Sequence, residues 1–121
     1  MIRQGNVYWY DFGEPTGSEP GYRRPAIVIQ NDTANLSAIK TTMVCAVTTN
    51  LRLARALGNV LLDPGEANLP QRSIVNVSQI VTINKSDLTD DAYIGALSQT
   101  RIDGVFTGIA AFLRPQRRSH R

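Results

Sequence analysis

Four apolar runs constrain this chain more than anything else in it: "NVYWYDF" (6–12), "PAIVIQ" (25–30), "TTMVCAVTTN" (41–50) and "SIVNVSQIVTIN" (73–84). Each is rich in β-branched or aromatic residues and lacks helical periodicity, so each reads as a strand. In the first, Val7, Trp9 and Asp11 share one face, and Tyr8, Tyr10 and Phe12 the other. Trp9 and Tyr10 are expected to be packing residues. "PAIVIQ" is continuous enough to be buried on both faces, and Pro25 is tolerated at a strand's first position. Residues 73–84 alternate Ile74, Asn76 and Ser78 against Val75, Val77 and Gln79. "GNVLLD" (58–63) adds a short strand. Only the C-terminal run Ile102, Val105, Phe106, Ile109, Phe112, Leu113 has helical spacing, with Ser98 as N-cap. Gly104 and Gly108 weaken that helix but permit close approach of another surface. The expected fold is mainly β with helices (α+β): a strongly bent sheet or small β-barrel with a C-terminal helix.

The connections are less determined. Residues 13–24, with Gly13, Pro15, Gly17, Pro20 and Gly21, read as a long loop that carries Glu19, Arg23 and Arg24. Residues 31–40 read as a helical turn or irregular loop, 51–57 as a helical turn or edge loop. Residues 85–97 read as a loop with a capping pattern at Ser86-Asp87 or Thr89-Asp90. A length of 121 residues fits one domain, and 42% hydrophobic content supplies its core. The domain is placed at 1–113, followed by a basic tail, 114–121, expected to be disordered. Arg114, Arg117, Arg118 and Arg121 supply much of the +3 formal charge, so the body is near neutral. Any anion-binding surface must therefore be local.

Several function classes lose support. Cys45 is the only cysteine, so no internal disulfide forms, and "MVCAV" marks it as a buried thiol. No apolar stretch approaches the ~18–20 residues of a membrane span. The start "MIRQGNVYWYDF" lacks a signal-peptide core, so a cytoplasmic protein is expected. His120, the only histidine, lies in the tail, which disfavours a histidine acid–base pair. There is no CxxC, HExxH, P-loop or GxSxG. No metal and no cofactor are expected. Arginine, glutamate and hydroxyls remain, a set suited to phosphodiester chemistry. Arginine presents a planar, permanently charged fork to phosphate oxygens. In RNA cleavage by 2′-OH attack the nucleophile belongs to the substrate, so the protein's task is charge stabilisation and proton movement. Paired arginines on a loop are also a common solvated face. The residues alone reach a small β-rich domain whose paired arginines are either an anion site or a solvated face.

The segment "RQGNVYWYDFGEPTGSEPGYRRPAIVIQND" resembles the start of the MazF/PemK family of toxin endoribonucleases. The carrying residues are Arg3, Gly5, Asn6, Val7, Tyr8, Asp11 and Phe12, then Gly17-Ser18-Glu19, then Arg24-Pro25. Similarity continues through "VCAVTTN" and "LPQRSIVNVSQIVTINKSDL" into the final helix, covering 2–113. The resemblance implies an SH3-like or CcdB-like barrel, a homodimer, and metal-independent, sequence-specific cleavage of single-stranded RNA to 2′,3′-cyclic phosphate and 5′-OH ends. It implies Arg24 as the catalytic arginine, Thr48 as a hydroxyl near the scissile phosphate, and Glu19 as either base or loop support. It places Gln79 where some members contact RNA bases, and Asn31 next to RNA or the neighbouring loop. Thr49 and Ser73 are further expected RNA contacts, and Arg23, which has no fixed family role, is taken as electrostatic support. A MazE-like antitoxin segment would occupy the RNA groove. Asn6 stands where family members commonly have an acid, and Gln4 separates Arg3 from Gly5. No histidine occupies the first loop, which leaves the general base open. The competing expectations are a CcdB-like gyrase inhibitor, against which the Arg-Pro site counts, and a non-catalytic RNA-binding module.

Overall fold

The computed structural model describes residues 1–15, 17 and 21–118. Six antiparallel strands form one curled sheet, a half-barrel: β1 (Asn6–Asp11), β2 (Arg23–Val28), β3 (Thr41–Thr48), β4 (Val60–Leu62), β5 (Ser73–Asn84) and β6 (Tyr93–Ala96). Their spatial order is β4-β5-β3-β2-β1-β6. A single helical turn, α1 (Asp32–Asn35), joins β2 to β3, and α2 (Gln99–Leu113) ends the fold.

The sheet is buried on both faces, as the unbroken apolar runs require. Val7, Ile27, Cys45, Val47 and Val75 pack with Val105 and Ile109 of α2 on one face. Tyr8, Ala26, Val28 and Val44 pack with Ile83 and Leu88 on the other. Fully burying a side chain such as Ile27 or Leu62 contributes about 1.5–3 kcal/mol. Ser98 caps α2 as expected, its hydroxyl accepting from the Arg101 N–H at 3.3 Å. The exposed Phe112 and Leu113 continue the apolar stripe beyond the core.

Three expectations change. Residues 85–97 are not simply a loop: Tyr93–Ala96 pairs with β1 as β6. Arg23 and Arg24 open strand β2 and pair with Asp11 and Tyr10, so the loop ends before them. The alternation along 73–84 is interrupted: Cys45 pairs with Ile80 but Ala46 pairs with Asn76. Val77, Ser78 and Gln79 thus have no β3 partner, a bulge that re-aims their side chains.

The two sheet edges are tied by the segment 63–72 between β4 and β5. Asn68 Nδ2 donates to the Ile94 carbonyl on β6 at 2.9 Å. Gly95 admits this approach, since a methyl there would lie 2.5 Å from the Ala67 carbonyl oxygen. Among the described residues, no helix is long and apolar enough to cross a membrane.

Candidate active site

Strand pairing creates the site. The β2–β3 ladder runs Val28–Val44, Ile27–Cys45, Ala26–Ala46 and begins only after Pro25, which has no N–H to donate. Continuing that register places Arg24 opposite Thr48 where the two strands no longer pair. Arg24 is half-buried, and its Nε donates to the Gly21 carbonyl at 2.9 Å. That bond fixes the plane of the guanidinium while leaving its terminal nitrogens for a ligand. Among the described residues, no carboxylate pairs with Arg24. Thr48 Oγ1 accepts from the Asn50 N–H at 3.1 Å, so the hydroxyl proton is available to donate outward.

Arg24 and Thr48 form a ridge between two openings. The first, about 340 Å³, is walled by Tyr22, Asn50, Leu53, Asn76 and Gln79. The second, about 290 Å³, is walled by Trp9, Arg23, Thr49, Leu69, Gln71 and Ser73. Tyr22 reaches the first from a left-handed backbone (φ 60°) and is 64% exposed. The 77–79 bulge delivers Gln79 to this opening. Asn59 holds the bulge: its Oδ1 accepts from the Val77 N–H at 3.0 Å, and its Nδ2 donates to the Leu53 carbonyl at 3.0 Å.

The expected site residues distribute unevenly. Arg24, Thr48 and Gln79 come together at the first opening; Arg23, Thr49 and Ser73 meet Arg24 and Thr48 at the second. Ser73 is buried, and its hydroxyl donates to the Gln71 carbonyl at 2.8 Å, so it braces the wall. Asn31 is not brought to the site. It caps α1 beyond the opposite end of β2, accepting from the Ala34 N–H at 3.0 Å. Glu19 lies outside the described residues. Sequence reasoning missed Asn50, Asn76 and Gln71 as lining residues and took Trp9 for packing. Instead, Trp9 lines the second opening with the Arg23 guanidinium 4.8 Å from its ring centre. Asn76, a polar residue between Val75 and Val77, was the available signal.

Among the described residues, neither opening is lined by a carboxylate or imidazole. Cys45 is no nucleophile here: burial pushes its thiol up to about 12. The arrangement offers a fixed cation, a hydroxyl donor and side-chain amides. It can bind an anion, neutralise growing charge on it, and hydrogen-bond groups on either side.

The family described as "PemK-like, MazF-like toxin of type II toxin-antitoxin system" matches residues 3–113. The chain belongs to this PemK-like, MazF-like toxin family. A Mycobacterium tuberculosis relative named Endoribonuclease MazF6 is 47% identical over 90 residues, spanning 74% of this chain and 79% of the relative. Endoribonuclease EndoA of Bacillus subtilis is 36% identical over 90 residues, 74% of this chain and 77% of its own. The MazF-like fold recurs in a mycobacterial endoribonuclease solved with its cognate antitoxin, at TM-score 0.75 and 23% identity over 97% of this chain and all of that one. MazF of Deinococcus radiodurans superposes with TM-score 0.74 at 19% identity, covering 93% of this chain and 96% of its own. Thus the six-stranded sheet with its terminal helix is the architecture of MazF-like toxins.

Proposed function

We propose that this MazF-family toxin endoribonuclease cuts single-stranded RNA, at sequence-defined sites and without metal, on the Arg24/Thr48 ridge. The ribose 2′-oxygen attacks the adjacent phosphorus, the bond to the 5′-oxygen breaks, and the ends are a 2′,3′-cyclic phosphate and a 5′-hydroxyl. The 2′ proton leaves to a base, and the departing 5′-oxygen takes up a proton. Arg24 neutralises the charge that grows on the non-bridging oxygens, and the Thr48 hydroxyl donates to one of them. Glu19 is either the base or a brace for its loop. The observation that carries this reading is the juxtaposition of Arg24 and Thr48 where the β2–β3 ladder stops, open on both sides.

The protein is further proposed to act in the cytoplasm as a homodimer. A MazE-like antitoxin segment would lie along the same openings, its carboxylates meeting Arg24 and Arg23 in place of phosphates. The test is incubation of a long RNA with purified protein in EDTA, followed by mapping of 5′-hydroxyl ends. Recurrent ends at one short motif support the reading, and intact RNA contradicts it.

A further inference from the structure

The second opening is chemically unlike the first. One wall is the Trp9 ring with the Arg23 guanidinium stacked 4.8 Å from its centre. The facing wall is Leu69, Pro70 and Gln71. A phosphate cradle would converge backbone or side-chain donors on one point. Here Arg24, Thr48 and Thr49 supply such donors on the ridge side, while Trp9, Leu69 and Pro70 add aromatic and apolar surface, which suits a flat, delocalised ring attached to a phosphate held on the ridge. Unpaired bases stack on aromatic rings and on arginine planes, and are distinguished by contacts to their edges.

The facing wall is held from outside the opening. Arg101 of α2 grips Glu66 through both carboxylate oxygens, at 2.7 Å and 2.8 Å. Glu66 Oε2 also accepts from the Asp63 N–H at 2.6 Å. Leu69 is sunk in the core, and its carbonyl accepts from the Gly65 N–H at 2.7 Å. Ser73 fixes the Gln71 carbonyl. Among the described residues, the Gln71 side-chain amide has no hydrogen-bond partner, and Gln71 is exposed. Its backbone is held while its amide is free to read a base edge.

We propose that this opening is a nucleobase subsite, in which one unpaired base of the RNA stacks on the Trp9/Arg23 pair and presents its edge to Gln71. The subsite rests on the endoribonuclease reading above. The strand crosses the Arg24/Thr48 ridge, with one neighbouring nucleotide in this subsite and another in the amide-lined opening at Asn76 and Gln79.

Trp9 is the only tryptophan, so its emission reports on this subsite directly. The probes are short 2′-O-methyl RNA strands of each base, which lack the attacking hydroxyl, and an abasic strand with the same backbone. Binding is followed by anisotropy of an end label, stacking by Trp9 emission. Base-bearing strands are expected to quench Trp9, and the abasic strand to bind roughly tenfold more weakly without quenching. Trp9→Leu is expected to erase that tenfold preference while retaining backbone binding. Should Trp9→Leu fail to fold, Arg101→Gln loosens the facing wall from outside the opening and is expected to reduce the quench. The proposal is overturned if base-bearing and abasic strands bind the wild type with equal affinity and equal quench. It is overturned alone if long RNA is cut but no base-dependent quench occurs. It falls together with the endoribonuclease reading if RNA is neither bound nor cut.

Discussion

Gly108 of α2 and Gly58, just ahead of β4, meet backbone against backbone: a methyl on Gly108 would stand 1.9 Å from the Gly58 carbonyl oxygen. Gly58 itself has φ 76°, and a methyl there would lie 2.5 Å from the Gly108 carbonyl oxygen. The contact seats the helix on the segment that carries Asn50 and Leu53 to the first opening. Gly108→Ala should therefore cost about 2 kcal/mol or more, the order expected of overpacking against unyielding backbone. Gly104, one turn earlier, has nothing within 4 Å of an added methyl. Gly104→Ala should stabilise by about 0.5–1 kcal/mol through helix propensity alone. Urea denaturation of the two variants checks the opposite signs.

Asn59 satisfies the N–H that the β5 bulge leaves without a strand partner, and it tethers the bulge to Leu53. Asn59→Ala should cost about 1–3 kcal/mol, because the N–H of buried Val77 loses its acceptor. It should also slow RNA cleavage, since the bulge delivers Gln79 to the first opening. Thermal unfolding together with a cleavage time course measures both effects. Full activity in a folded Asn59→Ala protein would show that the bulge does not position the site.

The Arg101 guanidinium holds the Glu66 carboxyl below the usual carboxylate range. A carboxylate lowered by folding contributes stability above its unfolded value, about 4.3, and that contribution is lost as pH falls through the lower folded value. Wild type should exceed Glu66→Gln in Tm by about 3 °C at pH 7. The gap should close as pH falls below about 5 and through the lowered folded value. Asp32, held low mainly by the Gln4 N–H and also by Arg3, is common to both proteins and cancels. A gap independent of pH would show that the ion pair is not its source.

Much of this architecture was legible along the chain because its evidence is local. Apolar runs marked β2, β3 and β5, helical spacing marked α2, and Ser98 marked its start. Arg24 and Thr48, singled out by family motifs rather than by composition, stand side by side in the structure, and their role in cleavage is the proposal made above. What escaped depends on contacts between distant segments. The strand Tyr93–Ala96 is short and contains Gly95, whose place is required by Ala67 on another segment. At the 77–79 bulge the polar pair Ser78-Gln79 interrupts the apolar alternation, but which residues skip a partner is set by β3, a distant segment. Trp9 shares a face with buried Val7 yet lies beyond the core's edge, so period alone could not separate packing from lining. The Glu66/Arg101 pair spans 35 residues and has no local signature.

Arg24, set opposite Thr48, is proposed to carry RNA cleavage. The most direct measurement compares wild type with Arg24→Ala on the same long RNA in EDTA, with circular dichroism and sedimentation run alongside. Removing a preorganised charge that stabilises the transition state costs about 10²–10³-fold in rate. Arg24→Ala is expected to lose at least that much, with the fold and assembly state unchanged. Cleavage by Arg24→Ala at the wild-type rate and sites would contradict it.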